Sequence, residues 1–95
     1  MKANEYFKKH GYRKCKSACA ENGWLNTGFW IQLKRLVESH NLVERIGGLR
    51  EAKIRLEQAD KEFSLLISFR SKNNEIYSVY DHVLKQAILD VESCQ

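Results

Sequence analysis

The sequence predicts an all-α protein, a small bundle of three main helices preceded by an N-terminal helical pair. Two observations support this fold class. The 95 residues contain no proline, the residue that most strongly interrupts helices. Three segments also carry apolar residues at spacings of three and four, the pattern of one helix face. The length suits one domain, so residues 1–95 are expected to form a single helical domain.

The N-terminal segment is expected to form two short helices on either side of Gly11. Its stretch "YFKKHGYRKCK" interleaves aromatic residues with basic ones. The basic residues are Lys8, Lys9, Arg13, Lys14 and Lys16. The loop "NGWLNTG" at 22–28 follows, and it contains Trp24. Such a segment suits either an anionic partner or simple exposure to water.

The second helix is expected to begin after an N-cap at Asn26 or Thr27 and to end at Gly47-Gly48. Its apolar face comprises Phe29, Leu33, Leu36, Val37, His40, Val43 and Ile46. A phosphate-binding loop would need several glycines at fixed offsets between a strand and a helix. Here "IGG" follows a helix and lacks those offsets. A C-cap that reverses the chain is therefore the preferred interpretation.

The third helix is expected to start at Leu49 and to continue through Phe63, Leu66 and Phe69, because the apolar stripe extends that far. The stripe comprises Leu49, Ala52, Leu56, Ala59, Phe63 and Leu66. Acid–base pairs at spacing four, Glu51–Arg55 and Glu57–Lys61, would support its outer face. The stretch "FSLLISF" and the turn signal "SKNN" leave a short β-hairpin around 63–80 as the alternative.

The last helix is predicted in "VYDHVLKQAILDVES", opened by a capping box formed by Ser78 and Asp81. The residues expected to line its apolar side are Val79, Val83, Ala87 or Ile88, and Val91.

The cysteines and histidines do not form a recognisable catalytic or metal-binding pattern. Three cysteines, Cys15, Cys19 and Cys94, are an odd number and fit reduced thiols in a cytoplasm. His10 with Cys15 and Cys19 would give three metal ligands, but zinc sites usually have two ligand pairs and a second pair is missing. Small cysteines in a helical core explain these residues equally well. We therefore expect no catalytic residue, no metal and no cofactor, and a chain that is not an enzyme.

Binding to another macromolecule is the expected function. A protein partner would be met by the basic residues Lys8, Lys9, Arg13, Lys14 and Lys16 and anchored by the aromatic residues Trp24 and Tyr77. The alternative is a small DNA-binding regulator, because two short basic helices around Gly11 would mimic a helix-turn-helix. The apolar stripes also allow a homodimer. No apolar run approaches the ~20 residues that span a bilayer, so no membrane contact is expected.

Three phrases of the sequence carry a family resemblance: "KKHGYRKCKS", "LKRLVESHNLVERIGGLREAK" and "LKQAILDVESCQ". Together they resemble the small early-region accessory proteins of lambdoid bacteriophages and enterobacterial prophages. The resemblance implies expression in a bacterial host cytoplasm. It also implies a role in binding and modulating, most often inhibiting, a host protein such as a nuclease or defence factor. It implies no catalytic residues.

Overall fold

A computed structural model describes residues 2–22, 27–71 and 74–95 of the chain. The elements are α1 (Ala3–Asn22), α2 (Gly28–Ile46), α3 (Leu49–Lys61), β1 (Leu66–Arg70), β2 (Ile76–Tyr80) and α4 (Asp81–Ser93). The protein is mostly helical, as predicted, but an antiparallel hairpin of β1 and β2 lies between α3 and α4. None of the helices in the described ranges is long and apolar enough to cross a membrane.

α1 bends at Gly11, where φ is 83° and ψ is 170°. Only glycine adopts this conformation readily, because a Cβ atom would clash with the main chain. The predicted N-terminal helical pair is thus present, but its halves are separated by one residue. Ala3 and Phe7 are buried before the bend and Cys15 after it. Both halves of α1 therefore contribute to the core.

α2 connects two hydrophobic clusters. The α1 cluster comprises Ala3, Phe7, Cys15, Leu33, Leu36 and Val37. The hairpin cluster comprises Val43, Ile46, Ala52, Ala59, Ile67, Phe69, Leu84, Ala87, Ile88 and Val91. The predicted apolar face of α2 is confirmed, because its first part packs in one cluster and its last part in the other. Thr27 occupies the N-cap position without a side-chain capping bond inside the described ranges, and Asn26 lies outside them.

The Gly47-Gly48 pair ends α2 and starts α3, as predicted. The φ values of 125° and 107° are both positive, which favours glycine at each position. The N–H of Gly47 donates to the C=O of Glu44 at 3.1 Å, and the N–H of Gly48 donates to the C=O of Val43 at 2.9 Å. Because these amides are already bonded to the end of α2, the turn offers neither of them to a phosphate.

α3 ends at Lys61, so the predicted continuation through Phe63, Leu66 and Phe69 is wrong. Phe63 has a φ of 54°, and its side chain is 94% exposed. From Leu66 the residues alternate between exposed and buried, with Ile67 and Phe69 facing the core. The physical reason is that branched and aromatic residues with period-two burial pack better on a sheet than on a helix. The hairpin alternative is therefore confirmed.

Two further expectations for this half of the chain have clear outcomes. The predicted pairs are present, with N···O distances of 3.4 Å for Glu51–Arg55 and 3.7 Å for Glu57–Lys61. The capping box at Ser78 is wrong. Ser78 lies in β2 opposite Ser68, with the two hydroxyl oxygens 3.1 Å apart.

α4 consequently begins at Asp81, whose Oδ1 accepts the N–H of His82 at 2.8 Å. Its buried side comprises Leu84, Ala87, Ile88, Asp90 and Val91. The prediction of Val83 on this side is wrong, because Val83 is exposed.

Candidate binding surfaces

The net charge of the chain is concentrated on α1. Residues 1–22 contain six of the 16 Lys and Arg residues but only two of the 12 Asp and Glu residues. The remaining ten cations and ten anions cancel, so the whole excess of +4 belongs to this segment. The exposed cations of α1, here called the basic surface, are the predicted site residues Lys8, Lys9, Arg13, Lys14 and Lys16.

The basic surface lies on both sides of the bend at Gly11. Lys8 and Lys9 precede the bend, and the other cations follow it. The Lys16 ammonium lies 5.9 Å from the centre of the Tyr12 ring, which places a cation over an aromatic face. Since α1 packs on α2 through Phe7 and Cys15, its charged side is left to solvent.

Of the two predicted aromatic anchors, Tyr77 packs in the hairpin and not on the basic surface. Trp24 lies outside the described residues. Tyr77 is half-buried on the inner side of the hairpin, where its ring stacks on Phe69 at 5.9 Å and faces the Arg45 guanidinium at 5.4 Å. Its hydroxyl donates a hydrogen bond to Glu75, and this bond raises the pKa of Tyr77 above 10.0. Tyr77 thus packs against the hairpin cluster.

The two most exposed large apolar side chains of the described residues, Phe63 and Leu65, lie instead at one end of the hairpin. Phe63 is 94% exposed and Leu65 is 72% exposed in the connection between α3 and β1. Leu66 and Tyr80 are paired across the hairpin and are 48% and 58% exposed. We call these four residues the apolar surface. The sequence indicates this exposure in the stretch "FSLLISF", which contains more large apolar residues than the inner face of a short strand can bury.

The three cysteines gather at the α1 cluster as free thiols. Cys15 is buried, while Cys19 and Cys94 are half-buried against the same cluster. Burial raises the pKa of each thiol above 9.0, and the nearby Cys19 and Cys94 raise that of Cys15 further. Neutral thiols are weak nucleophiles, so this arrangement suits packing.

His10, which the sequence offered as a metal ligand, packs against an aromatic ring. The ring of His10 lies 4.3 Å from the ring of Tyr6. Across residues 2–22, 27–71 and 74–95, no three His, Cys, Asp or Glu side chains are grouped to hold a metal ion.

An open cavity of about 420 Å³ lies beside the Gly47-Gly48 turn. Its lining residues are Tyr12, His40, Val43, Glu44, Gly47, Gly48, Leu49 and Val91. The Nδ1–H of His40 donates to the C=O of Leu36 at 2.7 Å, and the ring stacks on Phe7 at 4.1 Å. This lining contains an acid and no Lys or Arg, so it does not suit a phosphate group.

Comparisons of the chain with protein-family profiles, with curated proteins and with solved structures find no significant match. The features of the described residues that could bind a partner are therefore the basic surface, the apolar surface and the edges of the hairpin.

Proposed function

We propose that this chain is a non-enzymatic binding protein that docks on a partner protein through the apolar surface. The exposure of Phe63 is the observation that carries this proposal. A Phe side chain left in water loses the roughly 1.5–3 kcal/mol that its burial would contribute. Large aromatic side chains that a partner can cover are typical anchors of protein interfaces.

The basic surface supplies the second part of the proposed interaction. Its charge would draw the chain towards an acidic partner and raise the association rate, an effect that added salt weakens. The resemblance to phage accessory proteins supports a bacterial host protein, such as a nuclease or defence factor, as the partner in the host cytoplasm. Binding would modulate, most simply inhibit, that partner by covering its functional surface.

Capture from a bacterial lysate tests this proposal with a matched control. The test variant is Phe63→Ser with Leu65→Ser, which removes the most exposed part of the apolar surface. The control is Ile31→Ser, because Ile31 is also an apolar side chain, 55% exposed, but lies on α2. We expect one protein, identified by mass spectrometry, to be retained by the parent chain and the control and lost from the test variant. Equal retention by all three chains would contradict the proposal.

A DNA-binding regulator is the second candidate, favoured by the concentration of net charge on α1. A helix-turn-helix joins its helices by a turn of about three or four residues, whereas Gly11 alone separates the halves of α1. The proposed contact would therefore be to phosphates, without base readout. Micromolar binding to random duplex DNA that weakens steeply with salt would support this candidate. The DNA-binding candidate would be contradicted if the chain retained no duplex DNA near physiological salt and if reversing the charge of the basic surface did not change DNA binding.

A further inference from the structure

The hydrogen-bond pattern of the hairpin shows which main-chain groups of β2 face outward. The N–H of Asp81 donates to the C=O of Leu65 at 2.9 Å. The N–H of Ser71 donates to the C=O of Glu75 at the same distance. Both pairs continue the register of the strands, in which bonded and non-bonded pairs alternate. Alternate residues of β2 therefore direct their N–H and C=O groups away from β1. These residues are Ile76, Ser78 and Tyr80.

The two outer edges of the hairpin differ. On β1, Ser64 Oγ donates to the C=O of Leu66 at 2.8 Å. The Arg55 guanidinium lies 3.5 Å from the C=O of Ser68, so side chains occupy much of this edge. On β2, the outward N–H groups have no hydrogen-bond partner within the described residues. An edge strand with unpaired main-chain groups is a template for another strand.

The sequence of β2 also lacks the features that keep edge strands apart. "IYSVY" has no charged residue, no proline and no glycine, and all its residues but the serine are β-branched or aromatic. Ile76 and Tyr80 are 69% and 58% exposed, and Tyr77 and Val79 are only half-buried. Both faces of the strand therefore have apolar area that a neighbouring strand would cover.

We propose that β2 pairs antiparallel with β2 of a second copy of this chain, about a two-fold axis at Ser78. Ser78 lies at the middle of the strand, so this register places Ile76 opposite the second copy's Tyr80 and Tyr77 opposite its Val79. Each apolar pair then joins an aromatic residue to a β-branched one, a favourable cross-strand combination. The outward N–H and C=O groups of Ser78 bond to those of its symmetry mate.

Charge favours β2 over α1 as the site of self-association. The basic surface would face its own copy with like charges along its length, whereas the five residues of β2 carry no charge and acidic side chains lie only just beyond its two ends. The same register places Glu75 opposite the second copy's Asp81 at each end. Since added salt screens this repulsion, the dimer is expected to tighten as salt increases. Binding through the basic surface has the opposite salt dependence, and the two interactions are thereby distinguished.

A concentration series measures the association directly. We expect the mass by sedimentation equilibrium to rise from 11.1 kDa towards twice that value at concentrations on the order of 100 µM, because the seam is small. Ser78→Lys places two like charges at the two-fold axis, and should weaken dimerisation tenfold or more. Ser68→Lys is the matched control. It adds the same charge on the same face and breaks the same Ser68–Ser78 contact, but lies one strand away from the seam.

A second measurement tests the register on the unaltered protein. Within one chain, Ile76 and Tyr80 are about 13 Å apart along the strand, too far for a methyl–aromatic nuclear Overhauser effect. In a mixture of labelled and unlabelled chains, an isotope-filtered effect between these residues can arise only across the proposed seam. A chain that stays at 11.1 kDa at millimolar concentration overturns the proposal, and so does a dimer lacking this contact. Neither result bears on capture of a partner through Phe63 and Leu65.

Discussion

Ser39 and Asp90 connect α2 to α4 through a buried hydrogen bond, in which Ser39 Oγ donates to Asp90 Oδ2 at 2.7 Å. The second carboxylate oxygen accepts the Gln86 amide at 3.0 Å and faces the Arg35 guanidinium at 3.4 Å. Asp90 is 4% exposed, so its charge depends on these partners for solvation. This contact fixes the rotation of α4 against α2, and α4 in turn supports the hairpin.

Removal of the serine hydroxyl should therefore destabilise the fold. Ser39→Ala leaves one oxygen of a buried carboxylate without its donor, and we expect the free energy of unfolding to fall by about 1–3 kcal/mol. Glu92→Gln is the control, because Glu92 belongs to an exposed pair with Lys53 at 3.2 Å and should change stability by less than about 1 kcal/mol. Urea denaturation measures both. Equal effects in the two variants would contradict the assigned role of Asp90.

The Gly47 turn gives a second prediction. A Cβ atom at Gly47 would lie 3.3 Å from Glu51 Cγ at a φ of 125°, so Gly47→Ala should lower stability by roughly 1 kcal/mol or more. Gly28→Ala is the matched control. Gly28 starts α2 without a positive φ, and nothing lies within 4 Å of its Cβ position. Thermal unfolding that ranks these variants in the reverse order would refute this account of the turn.

Phe63 and Phe69 should respond in opposite directions to truncation. Phe63→Gly relieves a positive φ on an exposed side chain, and should raise the free energy of unfolding by up to about 1 kcal/mol. Phe69→Ala empties a buried position that is 4% exposed, and should lower it by about 3–5 kcal/mol. If Phe63→Gly is strongly destabilising, its side chain has a structural role and does not serve as an anchor.

The thiols provide a prediction on pH. Burial holds the pKa of all three cysteines above 9.0, so the reactive thiolates form only at higher pH. Alkylation of the folded chain should have its midpoint above pH 9.0, and Cys15 should react last because it is fully buried. The urea-unfolded chain is the control, with a midpoint at the ordinary value. A folded-state midpoint below 9.0 would show that the thiols are activated.

The sign of the linked stability follows from the same shift. Below pH 9.0 the thiols are neutral in both the folded and unfolded states, and their burial contributes fully. As the pH rises above 9.0, the unfolded chain loses protons first, so this contribution declines towards the folded pKa.

Helix periodicity predicts the parts of the fold that depend on short-range sequence. The face of α2, the turn at Gly47 and the pair Glu51–Arg55 all arise from residues within a few positions of one another. The hairpin is different, because Ile67 and Phe69 become favourable in a strand only when α3 and α4 cover them. The spacing of the apolar residues predicted a helix through Phe63, because local spacing contains no information about packing against α3 and α4.

The exposure of the candidate binding residues was predictable only in part for a related reason. Charge is visible in composition, and the basic surface on α1 is exposed as expected. Exposure of an aromatic residue depends on which face the strand register turns inward. Tyr77 and Tyr80 are three residues apart in the sequence, yet only Tyr77 stacks on Phe69, while Tyr80 faces solvent.

The division of the core along α2 has a consequence for hydrogen exchange. α1 is held by one cluster, whereas the hairpin, α3 and α4 share the other. Opening of the first cluster would release α1 while the second stays packed, so the amides of α1 should exchange through a sub-global event. The amides near Val43 should exchange only on global unfolding. The chain would then behave as two cooperative units that share a single helix.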